Sequence, residues 1–117
     1  MHYGLARIDA SGRVSDRSML KTLGWCPGNS LQITVVDSAV VVHPHPAGIF
    51  VVPPRPYLVL PALVRRRCGI HAGDRLLLAA DPGPGVLVVH PLAALDELLV
   101  AHHASLAGGE HGERESG

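Results

Sequence analysis

The chain has 117 residues, of which 47% are apolar and only four are aromatic, so its core must be built mainly from Val, Leu, Ile and Ala. Ten basic residues balance ten acidic ones, but nine of the basic residues lie within 1–91 and five of the acids lie within 92–117. A basic body followed by an acidic tail permits a polyanionic partner. Interrupted apolar runs exclude a membrane span, and the N-terminus lacks a signal pattern, so we expect a cytoplasmic protein.

The first half of the chain predicts a strand, a corner, a short helix and a hairpin. Apolar and polar residues alternate over 5–9, before a corner at Gly12. Ser15 or Asp16 can cap a helix of one to two turns, which Gly24 ends. The remaining predicted elements are a turn at 27–29 and a hairpin with strands at about 31–36 and 39–43.

The same order of elements returns after a proline-rich link. Two short strands ("GIFVV" and "YLVLP") precede a short helix ("ALVRRRCGI"), and a turn and hairpin follow in "HAGDRLLLAADPGPGVLVVHP". Superposing the halves at a spacing of 45 residues places Gly24 on Gly69 and Gly28 on Gly73. The hairpins end alike, with "VVVHP" at 40–44 and "LVVHP" at 87–91. The matching order and glycines indicate a duplicated unit.

The last part of the chain predicts a helix and then a tail. Apolar residues from Leu92 to Leu106 recur at helical spacing, and Asp96 and Glu97 near the start favour the helix dipole. The segment after Ala107 has no large apolar residue and is predicted to be disordered. The predicted boundaries are 1–46 and 47–91 for the two repeats, 92–107 for the helix and 108–117 for the tail.

The ordered motifs are a "GRV" corner, a short basic helix ending in "LGW" or "CGI", a "PGN" or "AGD" turn, and a hairpin closing on "VVVHP". This set resembles the AbrB/MazE/SpoVT family of swapped-hairpin DNA-binding domains. The resemblance implies a mainly β fold with short helices, in which two tandem repeats exchange hairpins to form an AbrB-like β-barrel, plus a C-terminal helix. The second half departs from the pattern, with Pro56-Tyr57 at the Gly-Arg corner. Either one chain forms an internal pseudo-dimer or two chains pair.

The resemblance also implies a transcriptional regulator that binds double-stranded DNA at the nucleoid. Phosphate contacts would fix its position, and a few arginines would reach base edges. At most two of the three consecutive arginines at 65–67 can share one face of a helix. The candidate DNA-binding residues are Arg7, Arg13, Arg17, Lys21, Arg55, Arg65, Arg66 and Arg67.

Two other functions stay open at this point. The antitoxin branch of the same family suggests a protein-interaction module, in which the C-terminal helix over 92–106 binds a partner protein or forms a homodimer. The second open function is that of an assembly factor, a degenerate member of the family that no longer binds DNA.

The remaining chemical groups predict no further site. No spacing among the eight histidines is typical of zinc binding, so we predict no metal or other cofactor. The sequence shows no pattern of a nucleophile next to a base, of paired carboxylates or of a phosphate-binding loop, so we do not predict an enzyme. Cys26 and Cys68 are interpreted as small apolar residues near the helix ends. Trp25 and Ile70, which follow the helix glycines, are predicted core anchors.

Overall fold

The fold consists of six strands and three helices within the described residues. The computed structural model describes residues 1–16, 18–55 and 57–116, with side chains described as far as residue 107. In chain order the elements are β1 (His2–Arg7), α1 (Ser18–Leu23), β2 (Ser30–Val36), β3 (Ala39–Pro44), β4 (Phe50–Val51), α2 (Ala62–Cys68), β5 (Arg75–Asp81), β6 (Val86–Pro91) and α3 (Leu92–Ser116). The predicted mainly β architecture with short helices and a C-terminal helix is confirmed.

Local sequence signals set the ends of the two short helices. The Asp16 carboxylate caps α1 by accepting hydrogen bonds from the Ser18 N–H at 2.7 Å and the Met19 N–H at 3.2 Å. Gly24 and Gly69 follow the two helices with φ of 72° and 66°, the left-handed conformation that commonly ends a helix. The predicted ends of both helices are confirmed.

All six strands form one antiparallel sheet in the order β1-β5-β6-β3-β2-β4. Both predicted hairpins are present, β2 with β3 and β5 with β6. The hairpin of β2 and β3 reverses direction at Asp37 and Ser38, which have φ of 48° and 66°, as a tight two-residue turn requires. At the centre β3 lies beside β6, with Val41 opposite Val88. The two similar five-residue stretches therefore run beside each other in the middle of the sheet.

Each half contributes its first strand to the hairpin of the other half. The first strand β1 pairs with β5, and β4 pairs with β2. The turns before the hairpins are bound in the same crossed manner: the Gly73 N–H donates to the Ile8 carbonyl at 2.7 Å, and the Gly28 N–H donates to the Val52 carbonyl at 2.8 Å. Hydrogen bonds between the halves are therefore as much a part of the sheet as those within each half.

The corner segments of the two halves also bind each other. The Val14 N–H donates to the Leu58 carbonyl and the Leu60 N–H donates to the Gly12 carbonyl, both at 2.8 Å. Arg13 and Val59 form an isolated antiparallel bridge between these two bonds. The strand predicted at "YLVLP" is thus reduced to a single bridge.

One core of aliphatic side chains serves both halves, as the composition requires. Its largest fully buried side chains are Ile8, Val14, Leu20, Val40, Val42, Leu60, Leu76, Leu78, Leu87 and Val89. The predicted anchors Trp25 and Ile70 are 6% and 5% exposed and belong to the same cluster. Separating the halves would expose apolar surface on both, so each depends on the other for stability.

The structure differs from the prediction at the sheet edges and in α3. The sheet is open, with β1 and β4 at its edges, so the closed barrel is not observed among the described strands. The strand β4 has only two residues and leads to Pro53 and Pro54, which have no N–H to donate. Helix α3 continues past residue 107 to Ser116, and the expectation of disorder over 108–117 stays a prediction.

Candidate nucleic-acid interface

Two arginines face each other at one edge of the sheet. Arg7 on β1 lies directly opposite Arg75 on β5, and both side chains are exposed. Their strand neighbours Ala6 and Leu76 are buried, so the arginines project from the opposite, outer face. Like charges at opposed positions destabilise a strand pair. The ion pairs found among the described residues involve neither arginine, so no described carboxylate neutralises this pair.

The corner after β1 holds Arg13 in a fixed position. The Asp9 carboxylate accepts hydrogen bonds from the N–H groups of Ser11 and Arg13 at 2.9 Å each and from the Arg13 Nε at 2.8 Å. These bonds, above all that from the Arg13 backbone, hold the pKa of Asp9 below its ordinary value despite some desolvation. Asp9 therefore stays ionised at neutral pH and anchors an arginine whose side chain is 54% exposed.

An open cleft of about 630 Å³ runs beside these arginines. Its lining consists of Arg7, Ile8, Asp9, Arg13, Val14, Ser15, Tyr57 and Gly73. Two guanidinium groups supply hydrogen-bond donors that match phosphate oxygens. The one carboxylate in this lining is already bound to Arg13. This arrangement can bind an extended anion along the protein surface.

The three arginines of α2 have different surroundings. Arg65 is partly buried, and its Nε donates to the Leu60 carbonyl at 3.0 Å while its Nη1 donates to the Ala10 carbonyl at 3.3 Å. These bonds tie α2 to the corner of the first half, and the predicted role of Arg65 in DNA binding stays a prediction. Arg66 and Arg67 are exposed. Two of the three arginines thus remain accessible to a ligand.

The other predicted site residues lie outside the cleft or outside the described residues. Lys21 is exposed in the last turn of α1, and Arg55 is exposed in the link after β4. Arg17 lies outside the described residues. Arg75, which directly follows the "AGD" turn, is not among the predicted site residues. Only the pairing of β1 with β5 brings it beside Arg7, although exchange of hairpins between the halves would have indicated that pairing.

Metal ligands, cysteines and apolar helices are the other features of the sequence that could form sites. Among the described residues, no three His, Cys, Asp or Glu side chains are grouped so that they could hold a metal ion. Both cysteines are free; Cys26 is exposed, and burial raises the pKa of the half-buried Cys68 thiol. In the same part of the chain, no helix has the length and apolar character needed to cross a membrane.

Helix α3 carries a second candidate surface, which is apolar. Leu92, Ala94 and Leu95 are partly buried where the helix leaves the sheet. Further along, four large apolar side chains remain exposed, by 64%, 48%, 63% and 46% respectively for Leu98, Leu99, Val100 and Leu106. Leu99 and Leu106 are seven residues apart and lie on one face of the helix, and exposed apolar side chains on one face are a candidate protein contact.

Comparison with protein-family models, with curated proteins and with solved structures found no match for the chain. The resemblance to the swapped-hairpin family therefore stays a prediction from the sequence motifs.

Proposed function

We propose that the chain is a DNA-binding transcriptional regulator of the AbrB/SpoVT type, acting at the nucleoid in the cytoplasm. Its body consists of two tandem swapped-hairpin repeats, residues 1–46 and 47–91, that complete one another within a single chain. The observation that carries the proposal is the opposed pair Arg7 and Arg75 beside the Arg13 corner.

The crossed strand pairing supports the two-repeat organisation. The first strand of each half pairs with the other half's hairpin, and each turn glycine donates to the residue that directly follows the other half's first strand. Gly28 and Gly73 occupy the same place in the sequence pattern and adopt similar φ of 91° and 85°. Two unrelated segments would have no reason to repeat these contacts at matching positions.

The arrangement of cations supports DNA as the ligand. A duplex carries closely spaced phosphates, and protein cations that neutralise them release counterions, which favours binding at low salt. Phosphate oxygens would relieve the repulsion between Arg7 and Arg75 and accept hydrogen bonds from both. Arg13, which Asp9 binds at the corner, would reach a base edge from beside them. The strand pair would then fix position and Arg13 would supply sequence preference.

A salt-titrated binding assay on fluorescent genomic fragments tests the proposal. The wild type is compared with Arg7→Ala, Arg75→Ala and the control Arg114→Ala, which removes the same charge from the tail. Each of the two strand variants should reduce the slope of log K against log salt concentration by about 0.9 for each phosphate that the protein no longer neutralises. The control should leave that slope unchanged. Equal slopes for all four proteins, or no wild-type binding at low salt, would contradict the proposal.

The exposed apolar residues of α3 favour a second candidate function, binding of a partner protein or a second copy of the chain. Substitution of Leu99 by Glu would place a charge on this surface and should dissociate such an assembly. Sedimentation of the purified chain with and without the substitution measures the change in mass. A monomer in both cases would exclude homodimerisation through α3.

A further inference from the structure

The two halves of the sheet are related by an approximate twofold axis. On the central strands Val41 lies opposite Val88, and the pairs on either side, Val40 with Val89 and Val42 with Leu87, exchange places about that point. The corner segments behave alike, because the hydrogen bonds flanking the Arg13–Val59 bridge have equal lengths of 2.8 Å. Residues can therefore be matched between the halves by their hydrogen-bonding positions.

This matching shows that the strand arginines have no counterpart in the other half. Ile8 binds the turn at Gly73 as Val52 binds the turn at Gly28, so the residues just before them, Arg7 and Val51, correspond. Their partners across the sheet are Arg75 and Ser30. The opposed arginines at the β1 and β5 edge are thus replaced at the β4 and β2 edge by a valine that is 56% exposed and a serine.

The same asymmetry appears at the corner and is reversed on the helices. Arg13 corresponds to Val59 across the bridge. At the spacing of 45 residues that relates the helix glycines, the exposed Arg66 corresponds to Lys21, and the exposed Arg67 corresponds to the uncharged Thr22. The β1 and β5 edge thus carries one strand arginine from each half, next to the corner arginine of the first half, whereas the exposed helix arginines lie only in the second half.

We infer that the stretch of DNA covered by one chain is non-palindromic. It would contain two unlike half-sites, each bound by different secondary-structure elements of the chain. The inference rests on the proposed DNA-binding function. Identical protomers around a true twofold axis present identical contacts and so read inverted repeats. Here the fold keeps the approximate axis while the contacting side chains differ. The Arg7 and Arg75 pair should hold one half-site, and Arg66 and Arg67 should hold the other.

Selection of bound duplexes from a random-sequence library, followed by hydroxyl-radical footprinting, tests this inference. The mass of the complex gives the number of chains on each selected duplex. We expect a motif without inverted symmetry within the stretch protected by one chain. A dimeric complex should contain two such stretches, each with unlike halves. A palindrome within the single-chain stretch would overturn the inference but leave DNA binding intact, whereas failure to select any duplex at low salt would refute both.

Paired variants assign the two half-sites. Arg7→Ala/Arg75→Ala should remove protection from one half-site only, and Arg66→Ala/Arg67→Ala should remove it from the other. Circular dichroism and thermal melting of each variant check that it is folded. The converse variant, Ser30→Arg/Val51→Arg, rebuilds the strand pair at the other edge. It should increase the slope of log K against log salt concentration by about 0.9 for each additional phosphate that it neutralises. It should also extend the protected DNA next to the β4 and β2 edge. Loss of protection over both half-sites with either alanine pair would contradict the assignment.

Discussion

Replacement of Gly12 by alanine tests whether contact between the two corner segments holds the halves together. Gly12 is buried at φ 84°, and a Cβ at this position would overlap the Leu60 carbonyl oxygen and approach the Arg65 Nε to 3.0 Å. The Leu60 carbonyl already accepts a bond from Arg65 at 3.0 Å, and the Leu60 N–H donates to Gly12 at 2.8 Å. The substituted corner can only relieve the overlap by moving these groups apart.

The expected loss of stability has three parts. A left-handed conformation costs an L-residue about 1–2 kcal/mol. Breaking the two hydrogen bonds costs about 1 kcal/mol each, and the remaining overlap costs about 1–3 kcal/mol. Gly69→Ala is a matched control, since Gly69 has φ 66° and nothing lies within 4 Å of its added Cβ. The control carries only the conformational cost, so Gly12→Ala should be less stable than Gly69→Ala by about 3–5 kcal/mol.

Thermal and urea unfolding followed by circular dichroism measure this difference. At roughly 4 °C for each kcal/mol in a domain of this size, Gly12→Ala should melt about 12–20 °C below Gly69→Ala. Equal melting temperatures for the two variants would refute the reasoning, because the close approach of the corner segments would then contribute nothing to stability.

Three further predictions concern single side chains. Because the folded state lowers the pKa of Asp9, its ionisation stabilises the protein above about pH 4, and this contribution is lost as the pH falls through the folded value. Melting temperatures from pH 7 to pH 3 should therefore fall more for the wild type than for Asp9→Asn, and a constant difference would contradict this. Burial raises the pKa of the Cys68 thiol, so iodoacetamide at pH 8 should alkylate the exposed Cys26 before Cys68. Peptide mass spectrometry measures the two rates, and equal rates would contradict this expectation. Arg65→Ala should destabilise the fold by about 1–3 kcal/mol because its hydrogen bonds are removed. The same variant should leave the salt dependence of DNA binding unchanged. A slope reduced by about 0.9 would instead show that Arg65 contacts a phosphate.

Much of the local structure could be predicted because its causes lie within a few residues of each other. Asp16 caps α1 through N–H groups two and three positions away, and Gly69 ends α2 where the chain turns left-handed. Alternation of apolar and polar residues similarly indicated the hairpins. The repeated order of these signals also predicted that the two halves have matching elements.

The partners of these elements depend on contacts between distant parts of the chain. Arg75 escapes prediction because it reaches Arg7 only through the pairing of β1 with β5. Arg65 is a predicted DNA contact whose Nε and Nη1 donate to the carbonyls of Leu60 and Ala10. No pattern in the sequence indicated these bonds, because Ala10 is remote from Arg65 in the chain.

The amino-acid sequence by itself determined the order of the elements, their ends and the aliphatic character of the core, since these follow from local backbone preferences and composition. Only the tertiary structure decided that the sheet stays open and which arginines remain accessible. The physical reason is that strand pairing and side-chain hydrogen bonds join residues far apart in the chain, where no local pattern specifies the partner.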